Sequence, residues 1–391
     1  MIYNRTGRTG GPAILQVVPR LDTGGAERTT IDIAVALKRE GFIALVASEG
    51  GRMVGEIEAV GGEWISMPLD TKSPFALAAN ARRLETLIRA RDVRLVHARS
   101  RAPAWSALRA AHVARVPFVT TFHGAYSAGS GLKRLYNSVM LRGDAVIANS
   151  QWTADHIRST YSFRPKQLVV VPRGIDLDRF DPARVSSDRI DRLRKSWGVL
   201  ESHVVILLPG RITRWKGQLV LVQALAKMFR NGVRSVHVVL AGDAQGRDAY
   251  AAELRRNIED SGLGEIVTIA GHVEDMAAAY RSADIVVSAS TDPEAFGRVA
   301  AEASAMERPV IATDHGGARE TIRPGVSGLL VPPGDAVALA AALGQLLHAG
   351  AEVRLAMGRR GREHIVKNYS LARMTADTLA LYRQLLAHGA A

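Results

Sequence analysis

The 391-residue sequence contains no cysteine. Disulfide frameworks, thiolate metal sites and cysteine nucleophiles are therefore excluded, and a reducing compartment is compatible with that absence. Long apolar runs are missing too: no stretch approaches the roughly 20 residues that span a bilayer. The opening segment MIYNRTGRTGGP lacks the apolar core of a secretory signal, so the expected location is cytoplasmic. Aromatic residues reach only 5%, but 47% hydrophobic and 23% charged residues provide ample core material. This composition rules out disorder, collagen and coiled coil as descriptions of the whole chain. The length exceeds one ordinary domain and predicts two.

Net charge is +13, and it is unevenly spread. Residues 1–180 hold 25 basic and 15 acidic side chains, whereas 181–391 hold 26 and 23. The first half is thus expected to face an acidic partner. Arg82, Arg83, Arg89, Arg91, Arg94, Arg99 and Arg101 form its densest run. Such a run suits nucleic acid, an anionic membrane surface or a phosphorylated acceptor, and it also suits a plain solvated helix face.

Short apolar runs alternate with longer amphipathic ones, the pattern of βαβ units and parallel sheets. Strands are expected near 14–18, 42–47, 64–67, 95–97, 118–122, 145–149 and 168–171. The segment VPRGIDLDRFDPARVSSDRIDRLRKSWG then reads as a linker. The pattern restarts with strands near 204–208, 236–241, 267–270, 285–288, 309–312 and 328–331. The expected fold is α/β, with two Rossmann-like doubly wound domains spanning 1–178 and 179–369. A terminal helix in 370–391 is expected to pack back on the first domain. Open α/β sheets bind ligands at their carboxyl edges, so a cleft faced by both domains is the default site.

Several residues carry chemistry. Gly24 and Gly25 lie at a strand-to-helix junction, where bare backbone can approach an anion, although the G-x-G-x-x-G spacing of a dinucleotide site is absent. His123 and Gly124 follow a strand at its carboxyl edge. In PGRITRWKG, Gly210 frees backbone amides, and Arg211 and Lys216 can converge on one diphosphate. Cations at a helix start oppose its dipole unless an anion lies between them. The most specific signal is DPEAFGRVAAEA. Glu294 precedes a helix, Gly297 and Arg298 sit at its N-terminus, and Glu302 lies about a turn and a half inside. The amides suit phosphate, and the deeper carboxylate suits vicinal ribose hydroxyls. Asp176-Leu177-Asp178 reads as D-x-D, but in a linker it is not expected to hold a metal.

PGR…WKG, AGD at 241–243, PEAFGRVAAEA, PVIATDHGGARE and GVSGLLVPPGD, with TGGAER, TTFHG and RGID upstream, together resemble the family-4 glycosyltransferases. The resemblance covers nearly the whole chain. It implies the GT-B fold and a retaining enzyme that uses a nucleotide-sugar donor, a UDP- or GDP-hexose, with no further cofactor and no metal. It also implies that Arg211 and Lys216 hold the donor diphosphate, Glu302 the ribose, and Glu294 the sugar hydroxyls. Amides of Phe296, Gly297 and Arg298 would reach sugar or phosphate, Gly25 would approach from the first domain, and His123 would lie near the reacting face. Many relatives have asparagine in place of Arg173. The expected acceptor is lipid-linked or lipopolysaccharide, met by an enzyme peripheral to an anionic membrane, and no nucleic-acid partner is expected. A GT-B epimerase of nucleotide sugars and a noncatalytic sugar-nucleotide or membrane binding module are the rival readings. An NAD-dependent dehydrogenase is weaker still, because the glycine fingerprint is missing.

Overall fold

In the computed structural model, residues 10–22, 24–124, 126 and 129–388 are described. The short apolar runs become strands β1 (Ala13–Val17), β2 (Ile43–Ser48), β3 (Glu63–Ser66), β4 (Val93–Ala98), β5 (Phe118–Phe122), β6 (Ala145–Ala148) and β7 (Leu168–Val170). They form one sheet in the order β3-β2-β1-β4-β5-β6-β7. Strands β8 (Val204–Pro209), β9 (Val236–Ala241), β10 (Val267–Gly271), β11 (Ile285–Ser288), β12 (Val310–Thr313) and β13 (Gly328–Val331) form a second, in the order β10-β9-β8-β11-β12-β13. Every pairing is parallel. Helices connect successive strands, so both sheets are doubly wound. Strand order reverses at β1 in one sheet and at β8 in the other, which directs ligands to the carboxyl ends of those strands.

The chain divides into two compact units after Pro172, and from Ala372 onward it rejoins the first. In the second unit the two-residue period of a strand sorts the core. Ile206, Leu208, Val238 and Leu240 fill one face, while Val205, Leu207, Val239 and Val286 fill the other. Each fully buried aliphatic side chain contributes about 1.5–3 kcal/mol relative to exposure.

The first sheet buries polar groups as well. Gln16 on β1 donates from Nε2 to the Thr30 carbonyl (2.9 Å), and its Oε1 accepts from Arg99 Nε and Nη2 (2.8 and 2.6 Å). His97 on β4 bonds Thr121 Oγ1 (2.7 Å) and the Tyr382 hydroxyl (2.5 Å). Tyr382 lies on the terminal helix Leu371–His388, so this contact ties that helix to the first sheet. Burial pushes the Tyr382 phenol up to about 12 and holds the His97 imidazolium well below its ordinary value.

The expected linker departs from its reading. It contains the helix Ser187–Ser196, none of whose residues is fully buried. Arg189 on this helix pairs with Asp275 (2.7 Å). The helix's apolar period is short, Ile190, Leu193 and Trp197, with Leu193 packed against the core and Trp197 buried, and the charged residues around that narrow stripe mask it in the sequence. Among the described residues, no single helix is long and apolar enough to cross a membrane.

Candidate active site

The second unit assembles its polar residues beyond the carboxyl ends of β8, β11 and β12. After β8 the chain makes the turn Gly210–Thr213 and a short 3₁₀ helix, Arg214–Lys216, before the helix Gln218–Arg230. Gly217 joins the two helices at φ 75°, and a Cβ there would lie 1.9 Å from the Ala289 carbonyl oxygen. Only glycine lets this loop lie against the end of β11. Lys216 is thereby placed with its stem along Gly210 and its Nζ 2.7 Å from Glu294 Oε1.

Glu294 is held from several sides. Ser290 donates to the same Oε1 (2.5 Å). The Ser290 carbonyl in turn accepts from Thr313 Oγ1 (2.9 Å) and bonds His315 Nε2 (2.9 Å). The Glu294 carbonyl accepts from the Gly317 amide (2.8 Å). Gly316, at φ 62°, leaves that carbonyl room, since a Cβ there would stand 2.3 Å away. Burial opposes the charge on Glu294, but Lys216, with help from Ser290 and His315, outweighs it and holds the carboxyl below its ordinary value.

Gly297 (φ 78°) caps the helix Arg298–Ala305. One face of that helix presents Ala300, Ala301, Ala303 and Ala305 to the core, and Glu302 is only 5% exposed. Its Oε2 accepts from the Tyr280 hydroxyl (2.9 Å), and its Oε1 from Arg298 Nε (2.8 Å). Burial and the Glu302 charge push the Tyr280 phenol well above its ordinary value, so it remains a donor. A carboxylate offers about four lone-pair positions, so acceptor capacity remains for a diol.

Lys216, Glu294, Phe296, Gly297, Arg298 and Glu302 thus belong to one constellation. Arg211 borders it on the exposed turn; its carbonyl accepts from Gln218 Nε2 (2.9 Å). The 176–178 carboxylates have local partners: Asp176 Oδ1 accepts from the amides of Asp178 (3.0 Å) and Arg179 (3.1 Å), and Asp178 pairs with Arg184 (2.8 Å). The supports Ser290, Tyr280, Thr313 and His315 were not singled out from the sequence. The pair Gly316-Gly317 was the available signal, since adjacent glycines mark a close backbone approach.

In the first unit, Gly25 opens the helix Gly25–Arg39 after Gly24, and Thr23 lies outside the described residues. His123 follows β5, half-buried, and its carbonyl accepts from Asn149 Nδ2 (3.5 Å). The arginine run does not form one surface. Arg99 is the clear correction, being only 2% exposed and bonded to Gln16. Its residue follows β4 into the core, where burial lowers its pKa. Arg101 donates to Asn137 (3.0 Å) and lies over the Tyr126 ring (4.2 Å). Arg89 pairs with Glu85 (3.1 Å) and Arg91 with Glu63. Arg83 donates to Asn80 (3.3 Å). Arg82 and Arg83 are exposed.

Comparison with known proteins agrees with this architecture. Residues 23–179 match the model for Glycosyltransferase Family 4, and residues 203–349 match Glycosyl transferases group 1. The crystal structure of a glycosyltransferase from Rickettsia africae is 36% identical with a TM-score of 0.89, covering 96% of this chain and 98% of that one. Anabaena Alr3699/HepE, solved in complex with UDP and glucose, is 27% identical with a TM-score of 0.81, covering 94% and 99%. A D-inositol 3-phosphate glycosyltransferase of Geodermatophilus obscurus is 37% identical over 226 residues, 54% of this chain and 49% of the relative. The chain therefore spans about half the length of the curated relatives it matches. With a match of 36% identity over almost the full length of a glycosyltransferase and two family models in tandem, the chain belongs to the family-4 glycosyltransferases of the GT-B fold.

Proposed function

We propose that the protein is a retaining hexosyltransferase that moves a hexose from a nucleotide diphosphate sugar to a hydroxyl of a cell-surface glycan or lipid-linked acceptor, lipopolysaccharide core being the first candidate. The observation that carries the reading is the ion pair Lys216–Glu294 at 2.7 Å, in one unit with the helix N-terminus at Gly297 and the buried Glu302. Lys216 and Arg211 receive the donor diphosphate, together with amides of Gly297 and Arg298. Glu294 accepts from sugar hydroxyls, and Glu302 from the ribose diol. Anabaena HepE, bound to UDP and glucose, supports a UDP-hexose over a GDP-hexose donor.

As the bond to the sugar breaks, the departing diphosphate gains about one further negative charge. At an effective dielectric of about 20, one charge pair at 4 Å contributes roughly 4 kcal/mol, so Arg211 and Lys216 supply much of the leaving-group stabilisation. These cations also take the role of a metal. Among the described residues no side chain is set up as an obvious nucleophile. Attack therefore proceeds on the face the leaving group vacates, with the phosphate oxygen assisting deprotonation of the acceptor. His123 is the first unit's contribution to turnover. The enzyme works in the cytoplasm at the inner face of an anionic membrane, a reading supported by the basic first half.

The curated relatives favour a second acceptor, a small phosphate-bearing polyol such as D-inositol 3-phosphate. Incubation with UDP- and GDP-hexoses, with each acceptor class added in turn, tests both. Acceptor-dependent release of nucleoside diphosphate with a glycosylated product is expected. Free epimer would point to an epimerase, and binding without turnover to a noncatalytic module.

A further inference from the structure

At the amino-terminal edge of the first sheet, opposite the end of β5 that carries His123, lies a cavity of about 510 Å³. The rise along β5 separates the two ends by roughly 13 Å. Leu108, Val116, Phe118 and Leu385 give the cavity an apolar lining. Arg115, Arg142, Lys166 and His112 stand around it. The one carboxylate among the described lining residues is Asp144. It is committed twice, to Lys166 Nζ (2.8 Å) and to the Phe118 amide (2.9 Å). Arg115 and Arg142 therefore have no acid on the lining to neutralise them.

Both arginines are placed in unusual ways. Arg115 ends the helix Arg101–Ala114 at φ 55°, where glycine is the default because a side chain in that conformation is strained. Arg142 lies with its guanidinium carbon 5.5 Å from the Trp105 ring and 5.8 Å from Phe163, and Phe163 is 45% exposed. A helix dipole accounts for a cation after residue 114. It does not account for an apolar floor beneath that cation or for an exposed aromatic ring beside a second one. Apolar floor, cationic rim and exposed aromatic together match an amphiphile with an anionic head.

We propose that this cavity binds the headgroup of an anionic phospholipid, with the phosphate taken by Arg115 and Arg142, the glycerol and first acyl carbons by Leu108, Val116 and Leu385, and Phe163 entering the interface. The proposal rests on the membrane reading above and assigns it to residues other than the 82–101 arginines. It is tested by sedimentation with phosphatidylcholine vesicles with and without phosphatidylglycerol. The proteins are the wild type, R115S/R142S, F163S, and a control, R192S/R255S, that removes the same charge from exposed sites of the second unit. Wild type and control should bind only the phosphatidylglycerol vesicles. R115S/R142S should bind roughly thirtyfold more weakly, the fold-change for two surface cations at about 1 kcal/mol each. F163S should weaken binding with its charge unchanged. Thermal stabilisation by UDP-glucose, retained in every variant, reports that each is folded. Equal vesicle binding by wild type and R115S/R142S would remove the cavity while leaving membrane attachment standing; binding by neither would remove both. Stabilisation by sn-glycerol 3-phosphate without vesicle binding would assign the site to a soluble phosphate ester and overturn the lipid.

Discussion

The two units share a doubly wound topology but use buried polar residues in opposite ways. In the second, Glu294 and Glu302 lie beyond the strand ends, held by ionised partners, Lys216 and Arg298. In the first, Arg99 and His97 are buried and held by neutral groups, Gln16, Thr121 and Tyr382. A buried charge at a ligand edge keeps spare hydrogen-bonding capacity, whereas one inside a sheet spends it on scaffold. Partner chemistry, more than burial, separates site from support.

The sharpest way to break this contrast is to remove the cations of the second unit. Lys216→Ala or Arg211→Ala should each lower turnover by roughly a hundredfold or more with the fold intact, because in the proposed reaction each faces developing phosphate charge. Near-wild-type kcat in both would contradict that assignment. Arg99→Leu should do the reverse, leaving kcat at a permissive temperature unchanged while lowering stability by about 1–3 kcal/mol, because Gln16 Oε1 is left buried without a donor. Thermal unfolding checks it, and R99L/Q16L should be less destabilised than the two single losses added together.

Glu302→Ala should mainly raise the donor KM, if the carboxylate grips ribose in ground and transition states alike; a pure kcat effect would contradict that role. Tyr280→Phe should move KM the same way by less. The smallest effect concerns pH. The Glu294 carboxyl titrates below its ordinary 4.5 in the folded protein, so its stabilising pair is complete above that pH and lost as pH falls through the lower folded value. The acid limb of the stability profile should be shallower in Glu294→Gln, and identical limbs would exclude the pair from acid stability.

Strands were legible because doubly wound sheets bury both faces and leave near-continuous apolar runs, as in β8. Lys216, Glu294 and Glu302 were legible from residue type at a helix start. Their supports were not: Tyr280 and His315 come from other elements, Ser290 shares the loop of Glu294, and each reads alone as an ordinary polar or aromatic residue. The arginine run misled for the same reason. Spacing along the chain does not report that Arg99 turns inward while Arg82 turns out.

Whether Lys216 and Glu302 in the second unit grip a nucleotide sugar can be read most directly from thermal unfolding with UDP-glucose. At 100 times its dissociation constant a ligand adds about 2.7 kcal/mol. That stabilisation is expected in the wild type and in Arg192→Ser, and its loss at the same concentration in both Lys216→Ala and Glu302→Ala. Equal stabilisation of all four, or none in the wild type with any UDP- or GDP-hexose, would contradict that grip.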